Sequence, residues 1–469
     1  MEAIFSIKKA AAAVSGELVN CNDISDKIIS SVSTDTRTIS EGALFIALKG
    51  EKFDGHKYID VALNNGAICV VAEKTAEIPH GAPAILVDDT SQALLDLAGA
   101  YRREMRIPLV AVTGSVGKTS TRGMITSVLS QKYKTLATEG NFNNEVGVPL
   151  TLFKLRKEHE IAVIEMGMNH FGELSRITAA ARPDAVVITN VGEAHIENLG
   201  SREGILKAKL EVLEGLSYDG TVILCGDNDM LWSVNGTLDF ETLYFGIKNA
   251  HCDIMANDVR TYAEGSEFDF GADGESYHAR INVPGVHHIY NALGAILVGL
   301  KYNVPMSDIL NGISDFMPVG LRQAIVKLDN YTLIKDCYNA NPTSMRSGLE
   351  VLSLREDSGR KVAILGDMLE LGTISESAHR DVGKAVIKNN VDCLITIGEK
   401  AKLIAESAAE SGMDENSIFS FDDNESACVA LGDIIQKGDV ILLKASRSMR
   451  LEEVAAFIEN DMKGCEDNV

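Results

Sequence analysis

The sequence contains no apolar run long enough to span a bilayer, so it does not predict an integral membrane protein. Its eight cysteines are scattered without a C-x-x-C pair, which indicates reduced thiols and excludes a simple zinc site or disulfide framework. The N-terminus lacks a signal-peptide cleavage pattern. Together these absences predict a cytoplasmic protein with no membrane insertion.

Basic residues are also scarce. Lys and Arg number 44 against 67 Asp and Glu, which gives a formal net charge of −23. Because such a surface repels nucleic acid, we expect no nucleic-acid partner. A phosphorylated ligand must then be held by a few placed cations and by backbone N–H groups.

The length of 469 residues is too great for one hydrophobic core, and the pattern of elements predicts an α/β protein of three domains. Residues 1–89 mix short strands and helices and predict a smaller mixed α/β domain. Residues 90–317 and 318–469 alternate strands with helices, which is typical of parallel sheets covered on both faces. We expect a central parallel-sheet P-loop domain and a C-terminal doubly wound, Rossmann-like domain. Residues 229–284 predict further strands at the edge of the central sheet.

The stretch that organises the chain runs from residue 107 to 129, where an apolar run is followed by a glycine turn and an amphipathic helix. Gly114 and Gly117 let the backbone curl so that several N–H groups face one anion. Lys118 would neutralise the β- and γ-phosphates. The full Walker pattern has glycine where this chain has Val112. The strand before the turn and the helix after it nevertheless predict a phosphate-binding loop.

Polar side chains follow the next two strands of the predicted central sheet. Glu165 ends the apolar run 161–164, at the edge where open α/β sheets place their ligands. The Thr119 or Ser120 hydroxyl of the phosphate loop would reach a Mg²⁺, and a carboxylate beside that loop is suited to hold the same ion. His195 follows the next strand. A lone histidine is more often structural than metal-binding, so its residue pattern leaves both roles open.

Other polar positions also have two interpretations. The clusters Ser31–Arg37 and Lys49–His56 suit either a sugar or nucleotide site or two polar turns. Lys207 and Lys209 lie on a helix where the pattern predicts solvated side chains. Asn291 opens a helix rich in Ala and Gly, and a neighbouring backbone group would satisfy it if it is only structural.

Eight stretches, taken together and in order, resemble the bacterial Mur ligases. They are TGSVGKTS, NFNNEVGVP, EMGMNHFGEL, NVGEAHIENLGS, YNALGA, DCYNANPTSM, LGDMLELG and KASRSMRLE. The resemblance runs from about Ser33 to Glu452, and YNANP and LGDMLELG are its most specific parts. STDTR and DGH are similar to the N-terminal nucleotide-sugar domain of the branch that extends a tripeptide substrate.

The resemblance implies an ATP-dependent amide ligase of peptidoglycan precursor synthesis. Its substrates would be UDP-N-acetylmuramoyl-tripeptide, D-alanyl-D-alanine and ATP, with an acyl phosphate between two chemical steps. It implies a UDP-sugar-binding domain at 1–89, an ATP-binding domain at 90–317 and a ligase domain at 318–469. We also expect two Mg²⁺ sites and a monomer. The alternatives are a related ligase that adds a single amino acid, a general P-loop ATPase or switch, and a nucleotide-sugar-binding module without catalysis.

The resemblance also assigns roles to single residues. The implied catalytic residues are Lys118, Glu165, His195 and Lys209. The implied metal ligands are Thr119, Glu165, His195 and Lys209, the lysine as a carbamate formed with CO₂, which reverses the surface prediction for this side chain. The implied ATP-binding residues are Thr113, Gly114, Ser115, Val116, Gly117, Lys118, Thr119, Asn291, Arg322, Asp336, Tyr338 and Asn339. The implied substrate-binding residues are Ser33, Asp35, Arg37, Asp54, His56, Asn143, Asn144, Asn341, Lys444 and Arg447. Two departures from the family pattern are Ala445 in place of glycine and His288 in place of the more frequent asparagine.

Overall fold

A computed structural model describes residues 5–50, 53–318, 320–355 and 359–460. These residues form three β-sheets of five, nine and six strands. Each sheet falls within one of the three ranges predicted as domains, and the three-domain α/β fold is confirmed. The domain boundaries themselves stay predictions. Within the described residues, no helix is both long enough and apolar enough to cross a membrane.

The N-terminal sheet is mixed, as expected. Its elements are α1 (Ile7–Ala13), β1 (Glu17–Val19), β2 (Val32–Ser33), β3 (Ala43–Ile46), α2 (Ile59–Asn64), β4 (Ala67–Glu73) and β5 (Ala84–Val87). The strand order is β1-β5-β4-β3-β2, with β1 antiparallel to β5 and the other pairs parallel. The apolar face of α1 joins this domain to the central core, where Phe5 meets Tyr101 edge to face.

The central domain follows the predicted alternation. Its elements are α3 (Thr90–Glu104), β6 (Leu109–Thr113), α4 (Lys118–Ser130), β7 (Thr135–Ala137), α5 (Gly147–Leu152), β8 (Ile161–Glu165), α6 (Glu173–Ala181), β9 (Ala185–Ile188), α7 (Ile196–Leu199), α8 (Arg202–Leu210), β10 (Thr221–Cys225), α9 (Asp229–Trp232), β11 (Glu241–Gly246), β12 (Ile254–Tyr262), β13 (Gly265–Ala272), β14 (Glu275–Ile281), α10 (Val286–Lys301) and α11 (Met306–Ser314).

The central sheet has the order β14-β13-β12-β11-β10-β9-β6-β8-β7. Strands β6 to β12 all run parallel to their neighbours in this sheet, whereas β12, β13 and β14 form antiparallel hairpins at one edge. The edge strands predicted from residues 229–284 are therefore present. Strands β6, β8 and β9 are buried along their whole length, so their carboxyl ends open at one edge of a rigid sheet.

The C-terminal domain is doubly wound. Its elements are β15 (Ala324–Lys327), β16 (Thr332–Lys335), α12 (Pro342–Ser353), β17 (Lys361–Gly366), α13 (Ser375–Lys388), β18 (Cys393–Ile397), α14 (Lys402–Glu410), β19 (Ile418–Phe421), α15 (Asn424–Ile434), β20 (Val440–Lys444) and α16 (Glu452–Asn460). The order is β15-β16-β20-β17-β18-β19, parallel except for β15. Two apolar clusters lie on the two faces of this sheet.

The first turn of α12 is fixed by its sequence. Asn341 is the N-cap and accepts a hydrogen bond from the backbone N–H of Ser344, whose hydroxyl accepts one from Asn341 in return. Pro342 follows at the first helical position, where no backbone N–H is needed. This capping box holds the beginning of α12 against the cavity described below.

Candidate active site

A cavity of about 600 Å³ lies between the central and C-terminal domains. Its walls are the phosphate loop, the loops after β8, β9 and β10, the first turns of α10 and α12, and the segment after β16. The predicted site residues that line it are Ser115, Val116, Gly117, Lys118, Asn143, Asn144, His195, Asn291, Arg322, Asp336, Tyr338, Asn339, Asn341 and Lys444. The predicted residues outside this lining are Thr113, Gly114, Thr119, Glu165, Lys209 and Arg447, together with the five in the N-terminal domain.

The phosphate loop depends on two glycines with left-handed backbones. Gly114 has φ of 147°, and a Cβ there would lie 1.9 Å from the hydroxyl oxygen of Thr189. Gly117 has φ of 84° and is the N-cap residue immediately before α4. Either position would strain a residue with a side chain, which explains why this turn keeps both glycines without the full Walker pattern.

Lys118 lies over the loop, where its Nζ donates to the backbone oxygen of Gly114 at 2.8 Å. Desolvation lowers the pKa of this ammonium group to about 8, against the opposing effect of the Glu165 carboxylate. The charge of Lys118 is therefore costly to maintain without an anionic partner, and a phosphate would provide one.

Asn190, which the sequence analysis did not single out, supports the loop from below. Its Oδ1 accepts from the backbone N–H of Val116 at 2.9 Å, and its Nδ2 donates to the oxygen of the same residue at 3.1 Å. The hydroxyl of Thr189 donates to that oxygen too. Their place in the sequence could have marked Thr189 and Asn190 as site residues, because both follow β9 at the same sheet edge as Glu165 and the phosphate loop.

Replacing Asn190 by alanine should weaken nucleotide binding, because it removes two of the three side-chain hydrogen bonds to Val116 and leaves only the one from Thr189. We expect a loss of about 1–3 kcal/mol, or roughly 5- to 150-fold in affinity, in calorimetric titration with a non-hydrolysable ATP analogue. Asn198→Ala, at an exposed position on α7, is the matched control. Equal affinities in the two variants would show that the loop does not depend on Asn190.

Glu165 is fully buried at the end of β8. Its Oε1 accepts from Nδ2 of Asn143 at 2.8 Å, and its Oε2 lies 3.6 Å from a guanidinium nitrogen of Arg122 without a hydrogen bond. Arg122 itself donates to the backbone oxygens of Thr138 and Gly140. The amide of Asn143, implied to approach substrate, thus also holds the carboxylate in place. Asn144 accepts hydrogen bonds from the backbone N–H groups of residues 146 and 147, where α5 begins.

His195 precedes α7 and contacts the other domain. Its Nδ1 lies 2.6 Å from Oε2 of Glu370, in the LGDMLELG stretch. The bond to His195 lowers the pKa of the Glu370 carboxyl group. His195 therefore belongs to the cavity wall and also to an interdomain contact, which the sequence could not indicate.

The two lysines of α8 differ completely in exposure. Lys207 is exposed and lies over the ring of Phe171, whereas Lys209 is only 2% exposed. Burial, together with the charge of Lys118, holds the pKa of the Lys209 amine far below its usual value. The prediction of a solvated side chain, made from residue pattern alone, is wrong for Lys209 and correct for Lys207.

Asn291 is buried and bonded, but its partners differ from those expected. The hydroxyl of Thr121 donates to its Oδ1 at 2.9 Å, and its amide lies 3.4 Å from Nδ1 of His288. The expectation that a neighbouring backbone group satisfies this amide is therefore wrong. His288 and His287 both contact Oε1 of Gln323, which links α10 to the start of the C-terminal domain.

The C-terminal wall is built around one aromatic ring and one buried ion pair. The guanidinium of Arg322 lies 4.1 Å from the ring centre of Tyr338, and that of Arg447 lies at 5.7 Å. Lys444 is buried and donates to Oδ2 of Asp336 at 2.7 Å and to the backbone oxygen of Asn339 at 3.1 Å. Lys444 thus lines the cavity, but its ammonium group is already paired with the carboxylate of Asp336.

The predicted residues of the N-terminal domain form two local turns. Asp35 caps one turn and pairs with Arg37 at 2.6 Å, which lowers the pKa of the Asp35 carboxyl group to about 2. Asp54 caps the other and lies 2.7 Å from Nδ1 of His56. The hydroxyl of Ser33 donates to the backbone oxygen of Asp35. These contacts explain residues 33–37 and 54–56 as turns, while residues 51 and 52 of the second cluster lie outside the described residues. The role of both clusters toward a UDP-sugar stays a prediction.

Several residues that sequence reasoning missed also line the cavity, and Asp227 is one that several hydrogen bonds hold in place. It follows β10, and its carboxylate accepts from the backbone N–H groups of residues 247, 248 and 249 and from the hydroxyl of Tyr290. Burial opposes ionisation, but these bonds lower the pKa of Asp227 below its ordinary value. The others are Asn141, Gly167, Met168, Asn169, Glu173, Thr189, Asn190, Cys225, Asn228, Phe245, Val286, His287, His288, Tyr290, Gln323, Thr343, Ser344, Ser347 and Glu350. Ser120, which the sequence offered beside Thr119 as a Mg²⁺ ligand, lines the cavity as well.

A glycine loop with its lysine, a buried carboxylate at the next strand end and a second α/β domain facing them define a nucleotide-dependent P-loop enzyme of several domains. Family models identify its kind. The Mur ligase middle domain matches residues 112–299, the glutamate ligase domain of Mur ligases matches 322–447, and the catalytic domain of the Mur ligase family matches 28–107. The chain belongs to the Mur ligase family.

Relatives match over nearly the whole chain. The UDP-N-acetylmuramoyl-tripeptide–D-alanyl-D-alanine ligase of Bacillus subtilis is 38% identical over 96% of this chain and 97% of its own length. The Escherichia coli protein of the same name is 35% identical over 93% and 95%.

Solved structures agree with these relatives. A MurF crystal structure from Acinetobacter baumannii has a TM-score of 0.88 at 30% identity and covers 98% of this chain and 99% of its own. The MurF ligase of Thermotoga maritima in complex with ADP has a TM-score of 0.81 at 27% identity and covers 92% and 98%.

Proposed function

We propose that this protein is an ATP-dependent ligase that joins D-alanyl-D-alanine to the terminal carboxylate of UDP-N-acetylmuramoyl-tripeptide, releasing ADP and phosphate. The observation that carries the proposal is the shared cavity, in which the phosphate loop and His195 of the central domain face the YNANP segment of the C-terminal domain. Near full-length similarity to ligases of that name supports this substrate pair over a single amino acid.

The chemistry begins with the peptide carboxylate, which cannot condense with an amine in water without activation. The backbone N–H groups of the phosphate loop and the Nζ of Lys118 hold the β- and γ-phosphates of ATP. Lys118 exchanges its bond to Gly114 for a phosphate oxygen. The carboxylate attacks the γ-phosphorus of ATP. The bond between the γ-phosphorus and the oxygen that bridges it to the β-phosphate breaks, and an acyl phosphate and ADP form. Lys118 stabilises the charge that gathers on the transferred group.

In the second step the neutral amine of D-alanyl-D-alanine attacks the acyl carbon, and phosphate leaves with the electron pair of the broken C–O bond. The nitrogen then gives up one proton to solvent, which leaves the amide. An acyl phosphate is also open to hydrolysis, so water must be kept out. The C-terminal domain does this by covering the cavity with Tyr338, Asn341 and the start of α12.

The residues at the strand ends fit Mg²⁺. Oε2 of Glu165 is buried and has no hydrogen-bond donor, and an orphaned carboxylate oxygen suits a hard cation. We assign one ion to Thr119 and Glu165 and a second to His195, with Lys209 as a carbamate that helps to hold the metals. Bound there, Mg²⁺ would neutralise phosphate charge during transfer. In the described ranges no three His, Cys, Asp or Glu side chains form a metal cage, and Mg²⁺ ordinarily adds phosphate and water to one or two carboxylates.

Lys209 fits the carbamate that the resemblance implies. Its amine is buried, has a strongly lowered pKa and takes part in no described hydrogen bond or ion pair. The neutral amine is the form that attacks CO₂, making an N–C bond and losing a proton. The product is an anion and could serve as a metal ligand, whereas the parent ammonium could not.

We further propose that the protein works as a cytoplasmic monomer. The seven cysteines in the described part of the chain are free thiols, which supports a reducing compartment. Sedimentation at assay concentration tests the monomer.

The amine specificity of phosphate release tests the ligase assignment. With UDP-N-acetylmuramoyl-tripeptide and ATP present, D-alanyl-D-alanine should stimulate phosphate release, and single amino acids should not. The tripeptide is supplied with lysine and with diaminopimelate at its third position in separate assays. Stimulation by one amino acid alone would indicate the related single-residue ligase, and release that needs neither peptide nor amine would indicate an ATPase.

A further inference from the structure

A contact between two side chains joins the central and C-terminal domains at the cavity edge. His195 precedes α7 of the central domain, and Glu370 follows β17 of the C-terminal domain. Nδ1 of His195 lies 2.6 Å from Oε2 of Glu370. The histidine side chain is mostly buried, whereas the glutamate is half exposed, so the carboxylate reaches the histidine from the C-terminal side of the domain boundary.

Backbone contacts hold the two segments together around the His195–Glu370 pair. The N–H of Glu197 donates to the backbone oxygen of Glu370 at 3.3 Å, and Gly372 packs directly on Glu197. His195 has φ of 64° and Glu370 has φ of 60°, both in the left-handed region that side chains disfavour. Strained residues of this kind persist where surrounding contacts hold them, and they concentrate at functional sites. Here both strained residues are the two partners of one contact.

The contact determines which nitrogen of His195 is free. A carboxylate at Nδ1 keeps the proton on that atom, so Nδ1 donates and Nε2 retains its lone pair. A histidine oriented in this way by a carboxylate is the usual arrangement of a metal-binding imidazole. Because Glu370 comes from the other domain, His195 has this orientation only when the two domains are docked.

We propose that Glu370 is a positioning residue that couples docking of the C-terminal domain to metal binding by His195. This inference rests on the proposed function, in which His195 is a metal ligand. Such coupling is reciprocal: bound metal favours the docked domains, and docked domains favour the metal. It would reserve the complete metal site for the closed enzyme, where the acyl phosphate is protected from water.

The test measures Mg²⁺ binding without turnover. Calorimetric titration of the ADP-bound full chain with Mg²⁺ compares wild type with Glu370→Ala, Glu370→Gln and the control Glu376→Gln, an exposed glutamate of α13. We expect Glu370→Ala to weaken Mg²⁺ binding by about 10- to 100-fold. Glu370→Gln should lose less, because its amide oxygen can still accept from Nδ1. The control should match wild type.

Two further readouts separate positioning from a general structural effect. In a His195→Ala background, Glu370→Ala should cause no additional loss of Mg²⁺ affinity, since the group it positions is gone. Small-angle scattering with ADP should show Mg²⁺ compacting the wild type more than Glu370→Ala. Unchanged Mg²⁺ affinity in both Glu370 variants, or fully additive losses in the double variant, would overturn the proposal.

The two failures can be told apart. If wild type makes no product from D-alanyl-D-alanine, the ligase assignment fails whatever the Glu370 variants do. If wild type ligates and Glu370→Gln and Glu370→Ala both titrate like Glu376→Gln, only the coupling fails. Should the alanine variant not fold, the glutamine variant decides, with an intermediate Mg²⁺ affinity supporting the proposal and a wild-type affinity overturning it.

Discussion

Lys118→Ala is expected to lower phosphate release by about 10³-fold, because it removes the ammonium group that lies over the glycine loop and can follow the transferred phosphoryl group. The Nζ of Lys118 is bonded only to a backbone oxygen, so the fold does not depend on its charge. Desolvation already lowers its pKa, and removing the ammonium group should leave the melting temperature unchanged or raise it.

Two further variants, Lys118→Arg and Lys118→Met, show how much of the loss in phosphate release comes from the missing charge and how much from the changed shape of the side chain. The methionine variant keeps a similar stem without charge and should be as inactive as alanine. The arginine variant keeps charge but not a compact ammonium group, and should recover only part of the rate. Lys134→Ala, an exposed lysine after α4, is the control. Single-turnover phosphate release is the measurement, and wild-type rates in the methionine variant would contradict the role given to Lys118.

Lys209→Ala is expected to lower ligation by more than about 100-fold, since loss of a metal ligand should exceed the 10- to 100-fold typical of a residue that only supports one. The matched control is Lys207→Ala, two residues away on the same helix but exposed. Because burial disfavours the charged form of this amine, its removal should not destabilise the fold by loss of charge. We therefore expect a large loss of activity without a matching fall in melting temperature.

The carbamate gives this prediction two independent signatures. With isotope-labelled bicarbonate, wild type should show a carbamate carbon signal by NMR that is absent from Lys209→Ala. A small carboxylate such as acetate, added to Lys209→Ala, should restore part of the activity by filling the vacated position with an anion. Full wild-type activity after exhaustive removal of CO₂, with no labelled signal, would refute the carbamate.

The sheets and the cavity were largely readable from the sequence because buried parallel strands have a simple signature. Continuous apolar runs end in polar residues, and parallel strands bring those ends to one edge. Ser115, Lys118 and His195 lie together for that reason. The short edge strands β15 and β19 were not anticipated, because four residues with part-buried, unalternating patterns resemble loops.

Other features depended on packing that no local pattern encodes. Helical periodicity places Lys207 and Lys209 on α8 but does not say which side of the helix faces the core. The bond between His195 and Glu370 joins residues 175 positions apart, and neither flanking stretch signals the other. The sequence likewise did not show that Asn143 both lines the cavity and donates a hydrogen bond to Glu165.

The central claim is that the peptide carboxylate is activated by the γ-phosphate held over the glycine loop. Its most direct test places a heavy oxygen isotope in the terminal carboxylate of UDP-N-acetylmuramoyl-tripeptide and follows the label by mass spectrometry during ligation to D-alanyl-D-alanine. An acyl phosphate requires one labelled oxygen to pass into each phosphate released. Phosphate that carries no label, while the amide product forms at the normal rate, would contradict the account.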